Sequence, residues 1–142
     1  MADVDPIKLA VITPERVVLE DRTNFVAFTA HDGDMGFLHN RAPLMCELGI
    51  GQLRYRSASQ THRLFVDGGF AQVGHDVITV LTPRAIRVED ITRETVRQAE
   101  GVVGEITGKD QESLEARRLA QQRVRVLRRM QPPAVPETVR PA

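Results

Sequence analysis

Up to about residue 90 the chain alternates short apolar, β-branched runs with turn residues. The runs are Ile7–Ile12, Arg16–Leu19, Asn24–Ala30, Gly51–Arg56, His62–Val66, Phe70–Val73, Val77–Leu81 and Ala85–Val88. Between them stand Thr13-Pro14, His31-Asp32-Gly33-Asp34, Ser57-Ala58-Ser59, Asp67-Gly68-Gly69, Gly74-His75-Asp76 and Thr82-Pro83. Short strands at this spacing predict an all-β sandwich or barrel, and nothing in this part repeats at helical intervals.

The period changes after residue 90. Val96, Ala99, Val103 and Ile106 recur at helical spacing, with Asp90 or Thr92 placed to cap the first turn. Gly108 reads as a stop, and Asp110 as the cap of a second helix running to about Met130. So short a connection predicts that the two helices fold back on each other as an antiparallel hairpin. Pro132, Pro133, Pro136 and Pro141 then break regular structure, so residues 132–142 are expected to be a disordered tail.

On a wheel of the second helix, Ala116, Leu119, Ala120, Val124, Val126, Leu127 and Met130 fill one face. Arg117, Arg118, Arg125, Arg128 and Arg129 fill the opposite arc; Arg123 and Leu114 break the division. No acidic residue lies between Glu115 and Glu137, so the arginine arc is expected to lack a built-in partner. The first helix is weaker, because Gly101 and Gly104 each cost about 1 kcal/mol relative to alanine. Isolated helices of this length are marginal, so the hairpin depends on docking and is a candidate moving part.

Charge adds a polarity that the total conceals. The 142 residues hold 19 basic and 19 acidic groups, but residues 1–90 carry a net −3 and residues 91–142 a net +3. Overall neutrality excludes a uniformly basic nucleic-acid coat or polybasic membrane binder. Aromatic residues make up 4%, too few for a base-stacking surface. No window of 18 apolar residues and no basic, apolar leader appears.

Candidate chemistry is sparse. The lone Cys46 excludes an internal disulfide framework and reads as a small core residue. His31, Asp34 and His39 have the side chains of a metal site, but side chains alternate between faces along a strand-turn-strand path and no preformed ligand pair follows from this spacing. Gly104 to Lys109 imitates a phosphate loop with its first glycine one position too close and Asp110 where a hydroxyl is required. No nucleophile elbow or His-Glu-x-x-His motif occurs. The arginine arc allows a solvated surface, a dock for an acidic partner, or a nucleic-acid contact.

Particular motifs narrow this further. The segment Gly33-Asp34-Met35-Gly36-Phe37-Leu38-His39-Asn40-Arg41-Ala42-Pro43-Leu44 resembles the Gly-x-x-Gly…Ala-Pro-Leu stretch of the epsilon-subunit family of rotary F-type ATP synthases. Thr13-Pro14-Glu15-Arg16, Val66-Asp67-Gly68-Gly69-Phe70-Ala71-Gln72-Val73, Val77–Leu81 and Ala85-Ile86-Arg87 match the same pattern in the same order. The resemblance spans roughly residues 7–130.

It implies a mainly β plus α fold: an N-terminal β-sandwich of about ten short strands (residues 1–89), a C-terminal antiparallel two-helix hairpin (90–131) and the Pro-rich tail (132–142). It also implies a noncatalytic central-stalk subunit without cofactor or metal, coupling rotation of gamma and the c-ring to ATP synthesis. The implied partners are gamma, the c-ring and, through a mobile hairpin that inhibits hydrolysis, the alpha/beta catalytic head; neither nucleic acid nor membrane insertion is implied. By the same resemblance Asp34 and Met35 lie on a loop facing the c-ring, and Arg41, Ala42, Pro43 and Leu44 near the gamma contact. Arg117, Arg118, Arg125, Arg128 and Arg129 correspond to a stripe that meets an acidic segment of the beta subunit. With no transit peptide visible, the expected location is peripheral, on the cytoplasmic face of a bacterial inner membrane.

The sequence departs from the family pattern at informative places. Asp67 stands where serine usually precedes Gly-Gly, and Arg41 where histidine is common. In Ile91-Thr92-Arg93-Glu94-Thr95-Val96 the Asp, Arg and Ala of an ATP-sensing motif found in some members are replaced by Thr92, Thr95 and Val96. The alternative reading is a free-standing β-domain whose arginine-rich hairpin binds nucleic acid.

Overall fold

A computed structural model describes residues 5–30 and 33–132. Eight strands are present among the described residues: β1 (Ile7–Ile12), β2 (Val17–Thr23), β3 (Phe25–Ala30), β4 (Gly33–Phe37), β5 (Leu44–Ser57), β6 (Gln60–Gly74), β7 (Val77–Leu81) and β8 (Ala85–Arg87). A short 3-10 turn, Val88–Asp90, leads to α1 (Arg93–Glu105) and α2 (Gln111–Met130). The expected architecture is observed, but the strands number eight rather than about ten, and two of them are long.

The difference lies in β5 and β6, which pair antiparallel from Leu44↔Val73 to Ser57↔Gln60. The runs His62–Val66 and Phe70–Val73 are two parts of one strand that passes through Gly68 and Gly69 without ending. Both glycines have positive φ, and a Cβ on Gly69 would collide with the Leu81 carbonyl oxygen. A bend there needs residues with no side chain, and it looks like a turn in the sequence. The neighbouring register between β3 and β5 shifts between Phe28 and Ala30, where β5 makes the same bend.

Because the long pair bends, each half belongs to a different layer. Sheet order is β2-β1-β7-β6-β5-β3-β4, with β8 on the N-terminal half of β6. Leu44–Leu48 and Gly69–Gly74 join β7, β1 and β2 in one layer; Ile50–Ser57 and Gln60–Asp67 join β8, β3 and β4 in the other. Leu9, Val11, Ile78, Val80 and Val73 of the first layer pack against Val26, Phe28, Phe37, Leu53 and Leu64 of the second. This apolar core holds the sandwich together.

The second layer is covered on both faces. Along β6, Leu64 and Val66 point into the sandwich core while Phe65 points outward, yet all three are buried. Phe65, Ile50 and Ile86 form the floor on which Ile91, Val96, Ala99, Val124, Val126, Leu127 and Met130 rest. The hairpin is therefore docked on the outer face of the second layer. Thr92 caps α1 through a reciprocal box with Thr95, and Asp110 caps α2 by accepting from the Ser113 backbone N–H at 3.2 Å.

Two outcomes follow. Tyr55, the protein's one tyrosine, donates to Asp21 Oδ2 at 3.1 Å, and burial with the nearby Asp21 charge pushes its phenol up to about 12. A raised folded pKa means stability that is complete below the ordinary value near 10 and is lost as pH rises towards 12. Tyrosinate absorbance should thus appear about two units later in the folded protein than in denaturant, as predicted from the phenol's burial. Separately, nothing lies within 4 Å of a Cβ built on Gly101. Gly101→Ala should strengthen α1 by about 1 kcal/mol, visible as slower amide exchange in residues 93–105.

Candidate functional site

The candidate sites are two surfaces. Among the described residues no group of three or more metal-ligating side chains gathers. His39 instead pairs with Asp76 at 2.8 Å, while His31 lies outside the described residues. The Asp76 carboxyl also accepts the Asn40 N–H at 2.9 Å, and this bond, aided by His39, holds its pKa below the usual carboxylate range. These bonds tie the loop after β4 to the β6–β7 turn.

The first surface is the outer face of the first layer. Registers place Val17, Ile12, Leu81 and Phe70 in one row across β2, β1, β7 and β6. Val17, Leu81 and Phe70 are 52%, 52% and 53% exposed, and Met45 beside them is 67% exposed. Inward residues of the same strands are almost fully buried, and on the uncovered outer face this row is an apolar stripe beside polar positions such as Glu20, Glu47, Gln72 and Thr79. A contiguous apolar patch on a folded protein marks an interaction surface. Sequence reading missed Met45, Phe70 and Leu81, although the run Val77–Leu81, apolar at every position but Thr79, carried the signal.

Arg41, Ala42 and Pro43 are exposed and Leu44 half-buried at one edge of this face. Pro43 lies over Gly74, where a Cβ would come within 3.1 Å of it. The Arg41 guanidinium sits 5.6 Å from the Phe37 ring centroid, a cation–π placement.

The second surface is the arginine arc, which the structure divides. Arg117 is structural: its Nε and Nη2 donate to the Ile106 carbonyl at 3.0 and 2.6 Å, and Nη2 also to Gly108 at 2.9 Å. It satisfies the end of α1, whose own last turn has no basic residue. Arg118 pairs with Glu115, and Arg128 crosses the hairpin to Glu100 at 2.9 Å. The expectation of an arc without internal partners is therefore corrected: one partner lies a turn back, the other on the facing helix. Ala116, placed on the apolar face by the wheel, is exposed.

Arg125 and Arg129 have no carboxylate within ion-pair distance among the described residues. They line a groove of about 790 Å³ between α2 and β3, β4 and β5, together with Arg54 and Asp34. Asp34 and Met35 are part of strand β4 rather than of a loop, because each pairs across to β3. Glycines at 33 and 36 disguised that strand. Met35 packs against the sandwich core, and the Asp34 carboxylate accepts from Thr29 Oγ1 at 3.1 Å.

Arg123, the apparent misfit of the wheel, faces the sandwich. Its Nε donates to both carboxylate oxygens of Asp67 at 2.9 Å. Neither residue stood out as a site in the sequence, though each broke a local pattern.

A family model described as ATP synthase, Delta/Epsilon chain, beta-sandwich domain, matches residues 6–88. The chain belongs to this family. Its relatives include chains named ATP synthase epsilon chain. One from Nitratidesulfovibrio vulgaris (strain DSM 19637 / Miyazaki F) is 40% identical over 66% of this chain and 69% of its own length. The one from Rhodopirellula baltica is 49% identical over 58% and 65%, and the one from Symbiobacterium thermophilum 42% over 70% and 73%. A chain of the Euglena gracilis mitochondrial ATP synthase superposes with a TM-score of 0.74 at 19% identity, covering 91% of this chain and 83% of that one. One from the central stalk and c-ring structure of the Tetrahymena thermophila enzyme gives 0.68 at 12%, covering 90% and 98%. These two likenesses show the fold.

Membership makes the chain a noncatalytic subunit of an ATP synthase, of the delta/epsilon type. No helix among the described residues is long and apolar enough to cross a membrane.

Proposed function

We propose that the two surfaces divide the work of this stalk subunit. The outer face of the first layer grips gamma, with Phe70, Leu81 and Met45 at its centre and Arg41, Ala42, Pro43 and Leu44 at its edge. The observation that carries this reading is the uncovered apolar row across four strands. Such a row costs solubility unless a partner covers it. The β4 edge, with Asp34 and Met35, faces the c-ring, so the sandwich turns with both as ATP is made. Residues 1–89 form this grip, and the subunit lies peripherally on the cytoplasmic face of a bacterial inner membrane.

The hairpin, residues 90–131, is the regulatory part. Undocked, it reaches the alpha/beta head and restrains hydrolysis, with the arginine arc against an acidic segment of the beta subunit. The internal roles of Arg117, Arg118 and Arg128 support a narrower contact, in which Arg125 and Arg129 carry the free charge. Guanidinium groups suit such a contact because they pair with carboxylates in two parallel hydrogen bonds.

Phe70→Asp combined with Leu81→Asp should weaken co-purification with gamma by at least about 30-fold, the scale of losing a buried interface anchor. Circular dichroism and the thermal midpoint should stay near those of the parent, since both side chains are exposed. Undiminished gamma binding would refute the assignment of this face. Arg125→Ala with Arg129→Ala should raise hydrolysis by the assembled complex at low salt, and the difference should shrink as salt screens the contact. Equal hydrolysis at every salt concentration would remove the arc from the inhibitory contact.

A further inference from the structure

We infer that Asp67 and Arg123 form a latch that sets how often the hairpin leaves the sandwich, an inference resting on the proposed movement of the hairpin. Among the described residues this is the one ion pair that joins hairpin to sandwich. Arg97–Glu94, Arg118–Glu115 and Arg128–Glu100 all lie within residues 93–130 and persist if the hairpin moves as a unit. The Asp67–Arg123 pair must break. An interaction shifts an equilibrium only by its difference between the two states, and here that difference is the whole contact.

Both ends are held in place. Asp67 lies next to the Gly68-Gly69 bend, and its backbone N–H donates to the Arg84 carbonyl at 3.0 Å. Its side chain is 14% exposed and that of Arg123 33%, so water competes weakly for the carboxylate. Arg123 is also the charged residue interrupting the apolar face of α2, directly before Val124. The apolar cluster below would tolerate sliding or rotation of α2, whereas one carboxylate taking the Nε–H on both oxygens does not. The latch thus selects a single docked register as well as opposing release.

The test uses the full chain with Cys46→Ser and a reporter thiol from Val126→Cys, which is covered only while α2 is docked. The thiol-labelling rate then reads the open fraction. Asp67→Asn and Arg123→Gln should each raise the rate about five- to tenfold, as expected for loss of a charged hydrogen bond. Together they should raise it no further than the larger single effect, because each removes the same contact. A control reporter from Val80→Cys, in the sandwich core, should change less than about twofold over the same series if the effect is local. Unchanged labelling, multiplying effects in the double variant, or an equal rise at the control would each overturn the latch.

The same variants in the assembled complex separate this inference from the reading beneath it. Stronger inhibition alongside faster labelling supports both. Faster labelling with unaltered hydrolysis upholds the latch and overturns the inhibitory role of the released hairpin.

Discussion

The molecule depends on the bend shared by β5 and β6. These strands stay paired along almost their whole length, so the sheet cannot end where it turns; it must fold over and carry its hydrogen bonds round the corner. Gly68 and Gly69 supply the backbone freedom, and the clash a side chain at Gly69 would make explains why freedom alone is insufficient. Two results follow from one bend. The layers are brought face to face to bury the principal core, and Asp67 is left at the rim of the outer surface where the helices arrive.

That arrangement makes the hairpin subordinate to the sandwich in energy but not in internal order. Its helices hold each other through the Arg117 contacts to the end of α1 and through Arg128–Glu100, neither of which involves a strand. Docking adds a separate apolar interface around Phe65, Ile50 and Leu127. The polar contacts that hold the hairpin together therefore reside in different residues from the ion pair that attaches it, while its apolar residues serve both. A unit built in this way can detach whole, which a pair of helices sharing all their contacts with the sheet could not do.

Legibility of the sequence followed the physics of each segment. Strands such as β1 and β7 announce themselves by β-branched residues, and both helices by their period and caps. Strand β4 was hidden by Gly33 and Gly36, and the first half of β5 by Pro43 before it and the glycines at 49 and 51 within it. Family resemblance pointed to Arg41, Ala42, Pro43 and Leu44 but not to the apolar row beside them. That row exists only when β2, β1, β7 and β6 are set in register, and no local window contains it. The arginine arc was legible as a stripe and misread as unpartnered, since Glu100 comes from another helix.

Asp67 and Arg123 show what a broken local pattern can mean. Each looks like a small error when read alone, a carboxylate in place of serine and a cation on an apolar face. A buried charge without a partner is expensive, so two such errors in a stable fold must either be exposed or answer each other. They answer each other across 56 residues of sequence. The apolar interface gives docking most of its free energy without direction, while the ion pair adds direction and a modest hold, on the scale of one charged hydrogen bond. Because the pair is modest in energy yet strict in geometry, it suits an attachment that has to be specific and still reversible.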